Sequence, residues 1–291
     1  HMKGIILAGG KGSRLFPLTN SISKQLLPIY NKPMIYYPLS VLLQANIRDI
    51  LIISCPENLP YFQKLLGDGS ALGISLSYAK QKSPKGVAEA FLIGKPFIGN
   101  DAVTLILGDN FFHGRQFQLL LGQCQSFTSG GLIFGYKVRD PKRYGVLFFN
   151  DQNKLEDIIE KPSSPPSPYA VIGLYCFDNH VLEIAKRLQP SKRGELEITD
   201  INRMYLQLGK LDVHLYDEGF VWIDSGTFTS LYEASRYVKM VEEKKGIMVG
   251  CLEEIAFRQG WISMNHLLKL SSCFHRTDYG TYLKTLAEAD Q

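Results

Sequence analysis

A glycine-rich turn with positive charge follows the first apolar segment of the chain. Gly4–Ala8 is apolar and short enough for one buried strand. The turn after it contains Gly9, Gly10, Lys11, Gly12, Ser13 and Arg14. Glycines let backbone N–H groups approach an anion, and Arg14 and Lys24 add full positive charge. The pattern favours a polyphosphate site, and the alternative is a tight turn with incidental cations.

The spacing of the glycines excludes two common phosphate-binding motifs. A P-loop requires G-x-x-x-x-G-K-[ST], and no glycine of this turn is followed by Lys-Ser or Lys-Thr at that distance. A dinucleotide fingerprint requires G-x-G-x-x-G, whereas Leu15 occupies the third glycine position after Gly10 and Gly12. The sequence therefore indicates neither a P-loop ATPase nor a dinucleotide-dependent dehydrogenase.

Two aspartates in distant segments are candidate metal ligands. Asp109 follows the apolar run Val103–Leu107, and Asp224 lies between Ile223 and Ser225. Mg²⁺ typically binds one or two carboxylates and completes its octahedron with phosphate oxygens and water. An isolated aspartate before Asn or near Gly is otherwise a turn or cap residue, and that alternative stays open for both. No Ser/His/Asp order or His/Cys metal spacing stands out.

The elements that must position these residues alternate between strand and helix in the first half of the chain. The predicted strands are Gly4–Ala8, Asp49–Ser54, Ile74–Ala79, Val103–Leu107, Leu132–Lys137, Val146–Asn150, Ala170–Phe177 and Asp212–Tyr216. The predicted helices are Met34–Gln44, a segment from Gly86, Thr229–Lys245, Leu252–Gln259 and Thr281–Ala289. Such alternation indicates a mostly parallel α/β sheet, in which ligands bind beyond the carboxyl ends of the strands. Both the glycine turn and Asp109 occupy that position.

Composition sets broad limits on function. The 291 residues are 45% hydrophobic and 21% charged, with a net charge of +4, which is typical of an ordinary globular protein. The cations are scattered, so we expect no nucleic-acid partner. The absence of a signal peptide after Met2 and of long apolar runs predicts no membrane association and a cytoplasmic location. Five cysteines without a C-x-x-C pair suit a reducing compartment, and we expect each to be buried: Cys55, Cys124, Cys176, Cys251 and Cys273.

One signature, LAGG-x-G-x-RL-x-P followed by SKQLLPIYNKPMIYYPL, occupies residues 7–39. Six further motifs are GDN at 108–110, RYGV at 143–146, EKP at 160–162, RGELEITDIN at 193–202, W-x-D-x-GT at 222–227 and CLEEIAF at 251–257. In these seven motifs the sequence resembles the sugar-nucleotide pyrophosphorylases, and most closely the glucose-1-phosphate thymidylyltransferases. The motifs are in order and spread over nearly the whole chain, so the resemblance is specific.

The resemblance implies a fold and a reaction. The fold would be a Rossmann-like three-layer α/β nucleotidyltransferase with a mixed, mostly parallel sheet. Residues 2–240 would form the catalytic domain and 241–291 a helical C-terminal segment used in assembly, in a homotetramer. The reaction would join dTTP and α-D-glucose 1-phosphate to give dTDP-glucose and pyrophosphate, on a route to rhamnose or another deoxysugar. The alternatives are a uridylyl- or cytidylyltransferase of the same fold, or a non-catalytic regulator that binds sugar nucleotides.

The resemblance also implies roles for individual residues. It assigns nucleotide binding to Leu7, Ala8, Gly9, Gly10, Gly12, Ser13, Arg14, Lys24, Gln81, Pro84, Gly86 and Asp109. It assigns sugar-phosphate binding to Asn110, Tyr144, Gly145, Glu160, Lys161, Val171 and Arg193. Asp109 and Asp224 match the aspartates that hold Mg²⁺, and the catalytic cations would be Arg14, Lys24 and Lys161. Lys11, Ser13, Lys82, Lys85 and Ser225 depart from the family pattern without removing a reacting group.

The base expected from these residues is thymine. A glutamine amide at Gln81 can accept from thymine N3–H and offer its own N–H to a carbonyl. If the amide alone recognised the base, it could rotate by half a turn, exchange its donor and acceptor, and so bind cytosine. A main-chain N–H near Gly86, pointed at O4, cannot reverse and would face the N4 amino group of cytosine.

Overall fold

The computed structural model describes residues 1–289, and a ten-stranded sheet runs through its centre. The sheet strands are β1 (Met2–Leu7), β4 (Asp49–Ser54), β5 (Ser75–Lys80), β6 (Ala102–Leu107), β8 (Gly131–Lys137), β9 (Gly145–Phe149), β10 (Leu155–Glu160), β11 (Tyr169–Val171), β12 (Leu174–Phe177) and β13 (Leu211–Tyr216). Their order is β10-β9-β11-β8-β12-β6-β1-β4-β5, with β13 paired to β8. This sheet, flanked by helices, is the mixed α/β architecture that the sequence predicts.

The four strands β6, β1, β4 and β5 form the parallel half of the sheet. Ile5 pairs with Leu51 on one side and with Leu105 on the other. The strands β1, β4 and β6 are mostly apolar, as expected for strands covered on both faces, and Ile5 and Ile52 are fully buried. Their carboxyl ends therefore lie along one edge, which carries the glycine turn, Gln81 and Asp109.

The second half of the sheet is mostly antiparallel, and here one predicted strand is wrong. Ala170–Phe177 is two strands, β11 and β12, separated by Ile172 and Gly173. The carbonyl of Gly173 accepts from the N–H of Leu107, and the Gly173 N–H donates to Oδ1 of Asn110 at 3.2 Å. A Cβ at Gly173 would collide with the Asn110 side chain, so the break lets the backbone approach that residue closely.

Two short ribbons lie outside the main sheet. The first pairs β2 (Pro28–Ile29) with β3 (Lys32–Pro33). The second pairs β7 (Asn110–His113) with β14 (Val221–Asp224) in antiparallel register, with Asp224 opposite Asn110. The sequence did not predict either ribbon. The second matters for function because it joins the two segments that carry the candidate metal ligands.

Helices cover the sheet and form the end of the chain. They are α1 (Tyr36–Gln44), α2 (Leu59–Leu66), α3 (Glu89–Ile93), α4 (Lys95–Ile98), α5 (Arg115–Gln125), α6 (Val181–Arg187), α7 (Ile198–Gln207), α8 (Phe228–Lys245), α9 (Leu252–Arg258), α10 (Met264–Cys273) and α11 (Asp278–Ala289). The expected helical character after Ser225 is confirmed, and the proposed boundary at residue 240 falls inside α8. Within residues 1–289, no helix has the length and apolar character needed to cross a bilayer.

The expectation that all five cysteines are buried is wrong for two of them. Cys124, Cys176 and Cys251 are buried, whereas Cys55 is half-buried and Cys273 is exposed. Cys55 follows the end of β4 in a turn at the sheet edge, and Cys273 ends the surface helix α10. Both positions leave one side of the residue without packing partners.

Candidate active site

Two adjoining cavities open at the carboxyl edge of the parallel strands. The first has a volume of about 210 Å³ and is bordered by the glycine turn. The second has a volume of about 310 Å³ and reaches toward β9, β10 and α7. Val87, Leu107, Asp109 and Glu195 line both. A ligand in one cavity would therefore contact a ligand in the other across Asp109.

The glycine turn is held by backbone contacts at both ends. Ala8 donates its N–H to the carbonyl of Ile53, and its own carbonyl accepts from Ser54 Oγ at 2.7 Å. Gly12 has φ 61° and ψ 33°, a left-handed conformation that favours glycine, and its carbonyl accepts from Thr19 Oγ1 at 2.6 Å. The turn is thereby fixed as a short 3₁₀ helix at Ser13–Leu15.

Lys24 and Asp109 form an ion pair at the meeting point of the cavities. The Lys24 ammonium donates to Asp109 Oδ2 at 2.7 Å, and Asn110 Nδ2 donates to Asp109 Oδ1 at 3.0 Å. Burial would by itself raise the pKa of Asp109, but the charge and hydrogen bond of Lys24 hold that pKa below its ordinary value. Asp109 is therefore ionised, as a metal ligand must be.

Asp224 lies beside this pair and keeps one oxygen without a partner. The pairing of β14 with β7 places it there, and the N–H of Ser225 donates to the Asp109 carbonyl at 3.0 Å. Asp224 Oδ1 is buried and has no hydrogen-bond partner within residues 1–289. Burial and the nearby Asp109 carboxylate raise the pKa of Asp224 to about 6. A buried carboxylate oxygen without a partner, next to a second carboxylate, fits a cation-binding site.

The donor set fits Mg²⁺ better than a transition metal. Among residues 1–289, no group of three or more His, Cys, Asp or Glu side chains is arranged to hold a metal ion. Mg²⁺ needs only one or two carboxylates, because substrate phosphates and water supply its other oxygens. Asp109 and Asp224 would be those two carboxylates.

The second cavity presents a carboxylate to a polar ligand. Glu160 accepts a short hydrogen bond from Thr199 Oγ1. Burial, with a smaller contribution from Glu197, raises the pKa of Glu160 above its ordinary value. Gly145 lies against both Thr199 and Glu160, and a Cβ there would crowd Thr199 Oγ1. This corner can accept hydrogen bonds from the hydroxyl groups of a sugar.

Lys161 adds a cation to the second cavity from a left-handed backbone conformation. Its φ is 46°, which is uncommon for a residue with a side chain, and its N–H donates to the Tyr144 carbonyl at 3.0 Å. The Tyr144 ring packs on Trp222, with centroids 4.9 Å apart, and Trp222 Nε1 donates to Asn110 Oδ1 at 2.7 Å. These contacts connect the Lys161 loop to the ribbon that carries Asp224.

The structure brings most of the predicted residues together. The first cavity is lined by Leu7, Gly9, Gly10, Lys24, Gln81, Pro84, Gly86 and Asp109. The second is lined by Arg14, Asp109, Asn110, Tyr144, Gly145, Glu160, Lys161, Val171, Arg193 and Asp224. Ala8, Gly12 and Ser13 line neither cavity and instead shape the turn. Arg14 thus lies on the side of Lys161, although its expected partner was the triphosphate.

Sequence reasoning missed several lining residues. They are Gln25, Val87, Leu107, Arg143, Gly173, Tyr175, Glu195, Glu197, Ile198, Thr199, Asn202 and Trp222. Helical spacing could have found one group, because Ile198, Thr199 and Asn202 share a face of α7. Arg193, which was expected, lies beside them and donates to Glu197 Oε1 through Nη2 at 2.8 Å.

Comparison with known proteins gives a consistent family assignment. A sequence model of the nucleotidyl transferase family matches residues 3–240. A glucose-1-phosphate thymidylyltransferase of Neisseria meningitidis serogroup A is 54% identical over 98% of this chain and 99% of its own length. The enzyme of that name from Xanthomonas campestris is 51% identical over 98% of this chain and 97% of its own.

Solved structures agree with the sequence relatives. A Bacillus anthracis protein assigned as a glucose-1-phosphate thymidylyltransferase superimposes with a TM-score of 0.74 at 41% identity, over 81% of this chain and 95% of that one. A UDP-glucose pyrophosphorylase complexed with UDP-glucose gives a TM-score of 0.70 at 26% identity, over 82% of this chain and 99% of that one. On these grounds the chain belongs to the nucleotidyl transferase family and, within it, to the glucose-1-phosphate thymidylyltransferases.

Proposed function

We propose that this chain transfers the thymidylyl group of dTTP to α-D-glucose 1-phosphate, releasing pyrophosphate and forming dTDP-glucose. The observation that carries the proposal is the position of Asp109, on the wall shared by two cavities of different character. One cavity is bordered by a glycine turn suited to a nucleotide, and the other by Glu160 and Lys161, suited to a phosphorylated sugar. The names of the relatives supply the two substrates.

The reaction needs positioning and charge more than a protein nucleophile. An oxygen of the sugar phosphate attacks the α-phosphorus of dTTP, the bond from that phosphorus to the bridging oxygen breaks, and pyrophosphate leaves with the electron pair. The attacking oxygen is already anionic, so no general base is required. Lys24, Arg14 and Lys161 would hold the two anions in line. Mg²⁺, held by Asp109 and Asp224, would neutralise charge that develops on the phosphate oxygens.

A pyrophosphate-release assay over a matrix of nucleoside triphosphates and sugar 1-phosphates tests this function. We expect dTTP with glucose 1-phosphate to be the best pair. The uracil base lacks only a methyl group, whose burial is worth about 1 kcal/mol, so UTP should follow within about two orders of magnitude. We expect CTP and purine nucleotides far behind. Equal rates with CTP and dTTP would contradict the proposed base contacts, and no turnover with any pair would favour a regulatory, non-catalytic role.

The proposal extends to assembly and cellular role. We propose a homotetramer in which residues 241–291 contribute to assembly, and light scattering after gel filtration measures its mass directly. The dTDP-glucose product would feed a dTDP-deoxysugar route of the rhamnose type. Unpaired cysteines, including the exposed Cys273, suit the reducing cytoplasm.

A further inference from the structure

The base-recognition amide of Gln81 is held in one orientation by the protein. Gln81 follows β5, and its own N–H donates to the carbonyl of Ser54 at 2.8 Å. The side chain is only 5% exposed and borders the first cavity. Its Oε1 lies against Gly9, where a Cβ would collide with it.

The nitrogen end of this amide already has two acceptors. Gln81 Nε2 donates to Glu89 Oε1 at 3.0 Å and to the Gly86 carbonyl at 3.4 Å. A carboxylate and a carbonyl can only accept hydrogen bonds, so the atom that faces them must be the amide nitrogen. A reversed amide would place Oε1 against two other acceptor oxygens in a buried position, at the cost of both hydrogen bonds.

This geometry differs in one respect from the sequence expectation, in which Gln81 also offers its N–H to the base. Both donor hydrogens have protein partners here, and Oε1 is the end left for a ligand. The main-chain N–H of Gly86 has no acceptor within residues 1–289, so it is available to a base carbonyl. Gln81 Oε1 and the Gly86 N–H therefore present one acceptor and one donor to a base.

Glu89 acts behind Gln81 and does not line either cavity. It is the first residue of α3 and is half-buried. Its position follows from the turn before it, where Gly86 has φ 105° and packs against the backbone of Leu196. Glu89 can thus influence a bound base through the Gln81 amide that it contacts.

We propose that Glu89 is a specificity-determining positioning residue, which fixes Gln81 Oε1 toward the base and so selects bases with an N3–H donor. Thymine and uracil carry that donor, whereas N3 of cytosine is an acceptor and would face Oε1 without a hydrogen. The inference rests on the proposed function, because it concerns the nucleotide that this cavity takes. Its content is that Glu89, whose carboxylate makes the shorter of the two bonds to Gln81 Nε2, supplies most of the barrier that keeps the amide from reversing to suit cytosine.

The decisive variant is Glu89→Gln, which keeps the size of the side chain. A glutamine at this position can present either an acceptor or a donor to Gln81. Reversal of the Gln81 amide then no longer opposes a carboxylate, and the longer bond to the Gly86 carbonyl is what remains to oppose it. Initial rates with glucose 1-phosphate give kcat/KM for dTTP and for dCTP, which share the same sugar. We expect the dTTP:dCTP ratio to fall by at least about tenfold, since one buried polar mismatch is removed.

Three further variants separate positioning from a structural effect. Glu89→Asp retains a carboxylate, and its dTTP:dCTP ratio should lie between those of the wild type and Glu89→Gln. Glu183→Gln, at a similar first-turn position of α6 but exposed, should leave the ratio unchanged. In a Gln81→Ala background, Glu89→Gln should change the ratio no further, because the amide through which it acts is absent.

Each outcome decides either the inference or the proposed function. A wild-type ratio retained in Glu89→Gln, or an equal change in the Gln81→Ala background, would overturn the role of Glu89 while leaving the thymidylyltransferase activity intact. A wild-type enzyme that turns over neither nucleotide would instead refute the proposed function. Calorimetric titration with dTDP and dCDP gives the ratio of their dissociation constants, which tests the base preference without turnover in variants that fold but react slowly.

Discussion

The Lys24 ammonium lies 2.7 Å from Asp109 Oδ2, so the cation expected to bind the triphosphate is paired with a carboxylate expected to bind the metal. In the absence of ligands, the Lys24 ammonium neutralises the Asp109 carboxylate, and the carboxylate neutralises the ammonium. With Mg²⁺ and the triphosphate bound, Asp109 would pair with the metal and Lys24 with a phosphate oxygen. Each of the two side chains would then keep a partner of opposite charge before and after binding.

Loss of either aspartate should remove most activity. We expect Asp109→Asn and Asp224→Asn each to lower turnover by at least about a hundredfold, because removal of a ligand leaves phosphate charge uncompensated. Steady-state rates across a Mg²⁺ titration, with circular dichroism to check the fold, measure the effect. Wild-type enzyme treated with a chelator should lose activity and regain it on adding Mg²⁺. A mutant with near-normal turnover at low Mg²⁺ would contradict the metal assignment.

Lys161 and Arg14, two of the cations that border the second cavity, should divide the substrates between them. Lys161→Ala should weaken the binding of glucose 1-phosphate far more than the binding of dTTP, because the expected partner of Lys161 is the phosphate of the sugar. Arg14→Ala should show the reverse bias. Separate KM and kcat values for each substrate distinguish these cases. Arg14 borders the same cavity as Lys161, so this test also decides whether that position makes Arg14 a sugar-phosphate ligand instead.

Sugar binding should weaken at low pH through Glu160. Burial raises the pKa of this carboxyl, so as the pH falls it takes up a proton at a higher pH than an exposed glutamate does. The protonated form is a poorer acceptor for sugar hydroxyls, and KM for glucose 1-phosphate should therefore rise as the pH falls. The phosphate of the substrate also titrates, so Glu160→Gln is the control. Its KM should depend on pH only through the substrate, and an unchanged profile would refute the role of Glu160.

A buried ion pair should stabilise the hairpin that follows the glycine turn. Lys32 is 2% exposed, and its ammonium lies 2.7 Å from Glu242 Oε2 of α8. Burial lowers the pKa of Lys32, which shows how costly an unpaired charge would be there. Glu242→Ala should destabilise the protein by about 3–5 kcal/mol in urea unfolding. The exposed pair Lys239–Glu243 is a matched control, and Glu243→Ala should cost less than about 1 kcal/mol.

The sequence predicted the parallel half of the sheet well because β1, β4 and β6 are mostly apolar. Asp49–Ser54 was predicted to the residue, and Val103–Leu107 to within one. The ribbon of Asn110–His113 and Val221–Asp224 was not predicted. Each strand is four residues long, and the pairing joins distant segments. Nothing local distinguishes such strands from loops.

The site residues that belong to a sequence motif were predictable. The contacts that depend on tertiary packing were not. The glycine turn and both aspartates could be named from sequence. The contact between Gln81 and Glu89 depends on a turn at Gly86 that packs against Leu196, and a single sequence does not show that neighbour. The exposure of Cys55 and Cys273 was mispredicted for the same reason, since burial is set by tertiary neighbours.

The ribbon between β7 and β14 also limits when the two aspartates can meet during synthesis of the chain. Asp109 is translated long before Asp224, and the strand that places Asp224 beside it cannot pair until residues 221–224 have been translated. A chain that ends before residue 221 lacks one of the two proposed metal ligands. We therefore expect such an incomplete chain not to consume nucleoside triphosphate.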